Sequence, residues 1–485
     1  MTSTPTATAI RSSYIDGRWL DDPDAKTIET RDPARPDEVV ATYALASAGD
    51  VQRAIAAAGT AAPALANTTA AERQDLVYDF LSRWTGRQDE LADIATREMG
   101  KARAESYGET ARVIFEARFW AGEALRAGGL TYPSTRPGTD ITTIRQPIGP
   151  VAAITPWNFP ILTPIRKVIP ALVNGCPVLL KPAMQAPGPS VIIAEILAEL
   201  GLPAGAFNLI LGSGREVGSL LVDAPGVAGI TFTGSTEVGL SIATGAASRN
   251  ARTQLEMGGK NAAIVAEVRD VDRVAKEIVT SAFTASGQRC TSISRVIVVP
   301  EVRSELEEAL VRHASRLVVG HGLDEGTTMG PVVDRAAFER AQAYIGDATA
   351  AGAQVLIGGA ANPGEGYFIP PTILTDVASG SALAIEEVFA PVLAVIPVAD
   401  LDEAISVANE TPYGLTASVF ADDATDARRA ALASRTGMVH INHGTTSEGH
   451  IPFGGVEQSG QGAYGIGATS TEFFTNLKVI YDLHP

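Results

Sequence analysis

Between Pro150 and Thr233 short apolar runs alternate with helix-type stretches: VAAIT at 151–155, a helix over 161–173, VLLKP at 178–182, a helix over 191–200, FNLIL at 207–211, a helix after Gly214, and GITFT at 229–233. Strands so uniformly apolar, bounded by glycine and proline, have no face to give to water. They predict a parallel sheet covered by helices on both sides, the doubly wound α/β architecture, in which ligands bind beyond the carboxyl ends of the strands. A second series starts at Ala262 and runs through 296–299, a helix over 303–317, 354–357 and 392–398, predicting another α/β domain. At 485 residues the chain exceeds what one core supports, so two or three domains are expected.

The flanks read differently. Residues 1–14 are small and polar and are expected to fray. Residues 51–61, 70–85 and 88–128 carry helical patterning rich in Ala, Glu and Arg. Residues 139–146 and 475–483 are β-branched and alternating, strands that stand apart from the main pattern and suit edge pairing or oligomerisation. With 38 Lys+Arg against 55 Asp+Glu the net charge of −17 argues against a nucleic-acid partner. Two cysteines and six histidines, with no CxxC and no HExxH, argue against a disulfide framework and against a metal site. The N-terminus has no apolar signal core, and no run approaches the roughly 20 apolar residues of a membrane span, so the chain reads as soluble and cytoplasmic.

Several residues carry chemistry. Cys290, in FTASGQRCTS, falls just past a helical pattern that stops at Ser286-Gly287. Its polar flanks and Arg289 suit a reactive thiolate, and a small buried hydrophobe is the alternative. Gly234-Ser235 joins the strand GITFT to a helix start, either a structural turn or a cradle for a pyrophosphate on free N–H groups. Lys181 ends another strand at the same sheet edge, poised for a ribose or phosphate or merely solvated. Asn158, after the strand VAAIT, is an oxyanion donor or the cap of the next helix. Glu256 lies beside Gly258-Gly259, a base or a solvated carboxylate.

WNFP at 157, KPA at 181, FTGS at 232, LEMGGK at 255, GQRC at 287, EEVF at 386 and PFGG at 452 occur in the order and spacing that resemble the aldehyde dehydrogenase superfamily, over residue 15 to the end. The resemblance implies Cys290 as nucleophile, Glu256 as general base, and the Asn158 amide with the Cys290 backbone N–H as oxyanion donors, with Lys167 near them. It implies NAD or NADP as cofactor, with Lys181 on the adenine ribose, Ser235 at the pyrophosphate, and Glu387 and Phe389 around the nicotinamide ribose and ring. Thr155, Pro156, Trp157, Met184, Gly214, Gly234 and Met257 complete the expected cofactor set. The implied reaction is attack of the thiolate on an aldehyde, hydride loss to the nicotinamide, and hydrolysis of the thioester by a water that Glu256 activates; a base there favours release of a free acid. The implied division is a dinucleotide-binding domain at 1–128 and 148–257, a catalytic domain at 258–445, oligomerisation strands at 129–147 and 471–485 in a homodimer or homotetramer, and a return of 446–470 to the cofactor domain.

The chain departs from the family pattern at four places. Glu457 replaces the lysine of PFGGxKxSG, and Ala463 and Tyr464 replace the arginine and glutamate that often follow, which removes a carboxylate thought to relay protons. Ala390 replaces a glycine after EEVF, and Met184 stands where NAD-preferring members carry a glutamate. For the substrate, Arg166 and Ser447 match positions at which semialdehyde dehydrogenases hold a carboxylate, whereas Thr284 replaces a second such arginine. The alternatives are an Arg166 paired with a neighbouring acid in a pocket for uncharged aldehydes, a catalytically silent relative, and a cysteine hydrolase using one of the histidines.

Overall fold

The computed structural model describes residues 10–126, 128–359, 361, 364 and 366–484. Five parallel strands form the centre of the first sheet, in the order Phe207–Leu209, Val178–Lys181, Val151–Ile154, Gly229–Thr233, Arg252–Glu256. The chain enters at Val151–Ile154, builds outward to one side, then crosses to build outward to the other. This makes the sheet doubly wound, with its switch point between Val151–Ile154 and Gly229–Thr233. The entry strand is buried at every position, and apolar clusters pack on both sheet faces, as the uninterrupted apolar runs require. Each fully buried Val, Leu or Ile contributes about 1.5–3 kcal/mol against exposure, so these strands hold their layer firmly. Antiparallel pieces close both edges: Tyr14–Ile15 with Arg18–Trp19 on one side, and Gly460–Gln461 on the other.

The second sheet has seven strands, in the order Gln354–Ile357, Thr372–Thr375, Val392–Pro397, Ile293–Val298, Asn261–Val265, Thr416–Phe420, Met438–Ile441, all parallel except the first. The C-terminal strand Thr475–Leu483 pairs antiparallel with Thr139–Pro147 over its whole length, from Thr475↔Pro147 to Leu483↔Thr139, and with Thr131–Tyr132 these make a separate three-stranded sheet. Among the described residues no helix is long and apolar enough to cross a membrane, and no cluster of His, Cys, Asp and Glu is set to hold a metal ion.

Three local expectations need correction. Ser13 is buried and Tyr14 is a strand residue, so order begins before residue 15, and residues 1–9 lie outside the described residues. The single helical run over 88–128 is two helices, Gln88–Met99 and Arg103–Glu123. Gly100, at φ 94°, ends the first in a left-handed conformation that alanine-rich periodicity alone does not reveal. A hairpin, Thr27–Asp32 with Arg35–Ala44, was not anticipated, because its buried positions are few and irregular.

Candidate active site

The helix Val271–Phe283 ends and the chain turns through three consecutive left-handed residues, Ala285 (φ 53°), Ser286 (φ 57°) and Gly287 (φ 70°), before reaching Cys290. Two of them carry a Cβ, so the turn stores strain of roughly 1–3 kcal/mol per residue, which persists only where the surroundings over-determine it. They do. The Ala285 N–H donates to Glu105 Oε1 (2.7 Å), the Ser286 hydroxyl to the Gly330 carbonyl (2.7 Å), and the Val333 N–H to Gln288 Oε1 (2.9 Å). Asn261 Nδ2 donates to the carbonyls of Cys290 (2.7 Å) and Ser292 (2.8 Å). Gly287 cannot carry a side chain at all, since a Cβ would lie 2.3 Å from the Ala390 carbonyl oxygen. Cys290 is thus a half-buried thiol on a fixed loop, at the floor of a cavity of about 410 Å³ between the two sheets.

Asn158 faces Cys290's loop from the other sheet. Its Nδ2 donates to the Gln288 carbonyl (2.9 Å), which leaves a second N–H for the cavity. The capping alternative fails, because the helix Leu162–Val173 has no side-chain cap from its own sequence. The Glu109 carboxylate takes that place instead, accepting from the N–H groups of Ile161 (2.8 Å) and Leu162 (2.6 Å). Lys101 forms a fully buried ion pair with Glu109 and donates to the Asn158 carbonyl (3.1 Å). One buried pair therefore fixes both the Asn158 turn and the start of the helix that bears Arg166 and Lys167. Lys101, Glu105 and Glu109 were not legible as site residues, since they sit on an ordinary charged helical pattern and act only across the fold.

Glu256 ends the strand Arg252–Glu256 and lines the cavity. Its Oε2 accepts from the Thr233 hydroxyl (3.4 Å), while Oε1 has no hydrogen-bond partner among the described residues. Burial raises its pKa, opposed mainly by the charges of Lys167 and Arg166. Gly465 itself touches the carboxylate so closely that a Cβ there would sit 1.9 Å from Oε1. Lys167 is buried, pushed down to about 8 mainly by burial, and donates to Thr231 Oγ1 (2.9 Å), which donates on to Gln254 Oε1 (2.8 Å). Tyr464 meets this chain only through its carbonyl, which accepts from Gln254 Nε2 (3.4 Å).

The expectation that Arg289 makes Cys290 a thiolate needs correction. Burial, then Glu256 and Glu387, raise the thiol and outweigh Arg289 and Arg166, so Cys290 is pushed up to about 12. The neutral thiol is the resting form. Alkylation of the cofactor-free protein by iodoacetamide should therefore keep accelerating above about pH 9, beyond the ~8.5 of a free cysteine; a rate that levels off below about pH 8 would contradict this.

The remaining predicted residues divide by location. Pro156, Trp157, Gly234, Ser235, Met257, Glu387 and Phe389 line the same cavity as Cys290, as do Arg166 and Ser447. Trp157 and Phe389 meet edge to face with centroids 5.6 Å apart, and Glu387 Oε1 accepts from the Gly259 N–H (3.0 Å). Thr155, Lys181, Met184 and Gly214 lie outside it, at and beyond the neighbouring strand ends. Lys181 is not solvated: its buried ammonium donates to the carbonyls of Pro182 (2.7 Å) and Gly212 (3.0 Å). Met184 packs partly into the core. The 12-residue helix Thr236–Ala247 points its N-terminus into the cavity, and its N-cap Ser235 makes no side-chain capping bond, so backbone N–H groups are free for an anion such as a pyrophosphate. No histidine lines the cavity among the described residues, which leaves a cysteine hydrolase without its base.

Arg166 is not the free guanidinium expected from sequence. Its Nε and Nη2 grip both oxygens of Glu116 at 2.6–3.1 Å. Ser447 is held by a different cation, Arg112, whose Nη2 donates to its hydroxyl (2.7 Å) and carbonyl (3.0 Å). Arg112 escaped the sequence reading because it lies in a helix 335 residues away along the chain.

A family model described as "Aldehyde dehydrogenase family" matches residues 19–480. The chain is 38% identical over 477 residues to an alpha-ketoglutaric semialdehyde dehydrogenase of Bacillus subtilis, covering 97% of each chain. Among solved structures it is similar to an NAD-dependent aldehyde dehydrogenase from Sinorhizobium meliloti (TM-score 0.96, 33% identity, 99% of this chain and 96% of that one). It is also similar to an NADP-dependent enzyme of E. coli (TM-score 0.95, 35% identity, 98% of each).

Proposed function

The chain belongs to the aldehyde dehydrogenase family, and from that membership we propose that it oxidises an ω-carboxylated aldehyde, a semialdehyde, to the free acid with NADP or NAD. The observation that carries this reading is a single cavity lined by the Cys290 thiol, the buried Glu256 carboxylate, the Asn158 amide and an uncapped helix N-terminus. The donor set at that N-terminus fits a dinucleotide: free N–H groups after Gly234-Ser235 for the pyrophosphate, and Glu387 and Phe389 beside the nucleophile for the nicotinamide end. When bound, the cofactor supplies the hydride acceptor.

The protein's own groups do the rest. Cys290 Sγ gives its proton to solvent and adds to the aldehyde carbon. The oxyanion is received by the free Asn158 N–H and the Cys290 backbone N–H, donors already fixed before charge develops. Loss of hydride from that carbon to the bound cofactor would leave the Cys290 thioester. Glu256, raised by burial yet flanked by Lys167, then takes a proton from the water that opens the Cys290 thioester. Lys167, Thr231 and Gln254 form a polar chain leading away from Glu256, in a protein that has Tyr464 where the family often carries a relaying glutamate.

Reduced-nicotinamide absorbance tests the reading. A semialdehyde such as α-ketoglutaric or succinic semialdehyde should exceed butanal in kcat/KM by roughly tenfold to a hundredfold, the worth of a charge-assisted contact. Equal rates would favour uncharged aldehydes, and no turnover with either would favour a silent relative. Because Met184 neither bonds a 2′-hydroxyl nor repels a 2′-phosphate, NADP should be used about as well as NAD or better, and Met184→Glu should shift preference toward NAD. A preference for NAD above about a thousandfold, ~4 kcal/mol, would refute it.

The assembly proposal rests on the separate three-stranded sheet. Leu477, Val479, Ile480, Tyr481 and Leu483 are exposed on its C-terminal strand, an apolar edge suited to a second copy, in a homodimer or homotetramer. Light scattering of the full chain, which should return at least twice the monomer mass, tests this. We place the protein in the cytoplasm and divide it at 1–128 with 148–257 for the cofactor, and 258–445 for the catalytic cysteine.

A further inference from the structure

Three guanidinium groups, those of Arg112, Arg166 and Arg289, line the substrate end of the cavity, and they are unequally matched. Arg166 has its charge matched by the two-pronged contact of Nε and Nη2 with Glu116. Arg112 reaches the same carboxylate only at 4.0 Å, and Arg289 has no carboxylate within salt-bridge distance among the described residues. Among the described residues, Arg166 and Arg112 meet the same carboxylate and Arg289 meets none.

The donors of the two unmatched groups are also mostly open. Arg112 uses Nη2 on Ser447, and Arg289 uses Nη2 on the Thr291 hydroxyl (3.2 Å) and the Thr445 carbonyl (3.4 Å). Their Nε and Nη1 groups have no protein acceptor among the described residues, although a guanidinium carries five N–H donors and stays charged in proteins. Burial works against the charge of both, and Arg166 and Arg289 also repel Arg112. Both side chains are only half-buried, Arg112 with 41% of its side chain exposed, so neither charge needs a full protein partner and both stay available to an arriving anion.

We infer that Arg112 and Arg289, bridged by the Ser447 hydroxyl, receive the anionic terminus of the substrate, while Arg166 is a positioning residue held by Glu116. This rests on the reading that the substrate is an ω-carboxylated aldehyde. The Ser447 hydroxyl accepts from Arg112 and so turns its own proton outward, toward a carboxylate oxygen. Arg112 and Arg289 supply planar, charge-assisted donors to the same group. The pairing of Arg166 with Glu116 sets the helix that carries Lys167 and adds little net charge for a ligand.

The test is the ratio of kcat/KM for succinic semialdehyde over butanal in the wild type, in Arg112→Met, in Arg112→Lys, and in the double replacement Glu116→Gln with Arg166→Gln, which removes that ion pair without stranding either charge. Arg112→Met should lower the ratio by roughly tenfold to a hundredfold, chiefly through KM, and Arg112→Lys should recover part of it. The double replacement should keep the preference. A binding readout independent of turnover is protection of Cys290 from iodoacetamide by succinate, expected in the wild type and weakened in Arg112→Met. If Arg112→Met keeps both the ratio and the protection while the double replacement loses them, Arg166 is the receptor and this assignment falls, with the semialdehyde reading intact. If the wild type shows neither preference nor protection, the semialdehyde reading itself fails and takes the assignment with it.

Discussion

Replacing Cys290 with alanine is expected to lower aldehyde oxidation by roughly four orders of magnitude or more while leaving the fold nearly untouched. The loss is large because the thiol makes the only covalent bond to substrate in the proposed mechanism; nothing else lining the cavity can replace it, and knock-outs of nucleophiles commonly have effects of this size. The fold is spared because Cys290 is half-buried and only packs against the edge of a small cluster, Leu415, Phe453 and Ile466. Its loop is held through backbone carbonyls and N–H groups that alanine retains, above all the Asn261 bonds to the carbonyls of Cys290 and Ser292. A change in stability within about 1 kcal/mol is therefore expected, along with unchanged quenching of protein fluorescence by NADPH. Turnover retained within about tenfold of wild type would sink the assignment of the nucleophile.

Glu256→Gln is expected to separate the two halves of the reaction. With the base gone but the shape kept, acylation proceeds and thioester hydrolysis slows by about 10²–10⁴. Rapid mixing should show a burst of reduced cofactor near one equivalent per site, then a low steady rate. A second effect has the opposite sign. Glu256 is one of the charges that raise the Cys290 thiol, so its neutralisation lowers that pKa and should speed iodoacetamide labelling at a given pH. A variant with no burst and unaltered labelling would show that Glu256 acts neither on the thioester nor on the thiol.

The doubly wound sheet was legible because its strands are buried on both faces, and burial on both faces writes itself as unbroken apolar runs such as VAAI and VLL. Cys290, Asn158 and Glu256 were legible as candidates for a related reason: each ends a strand or helix beside glycine or proline, where backbone can approach a ligand. Their roles came from resemblance, since one thiol, one amide and one carboxylate spread over 133 positions of sequence have many separate explanations. The protonation of the thiol was not legible. A neighbouring arginine in sequence suggested a thiolate, but desolvation by the assembled cavity outweighs it, and desolvation exists only after folding.

The same distinction governs the substrate end. Resemblance matched Arg166, with Ser447, to positions at which semialdehyde dehydrogenases hold a carboxylate; it could not say which acid the guanidinium would meet. The fold brings Glu116 from the Arg103–Glu123 helix onto Arg166 and carries Arg112 from the same helix onto Ser447. Local sequence determined the strands and helices of the two main sheets and the chemical types present, because those depend on propensity, periodicity and near neighbours. The break at Gly100 and the Thr27–Ala44 hairpin were not legible in it. Which charges pair, which stay open to a ligand and how far burial moves each proton were decided only by the tertiary structure, because electrostatic energy depends on distances and dielectric that exist only once the chain is packed.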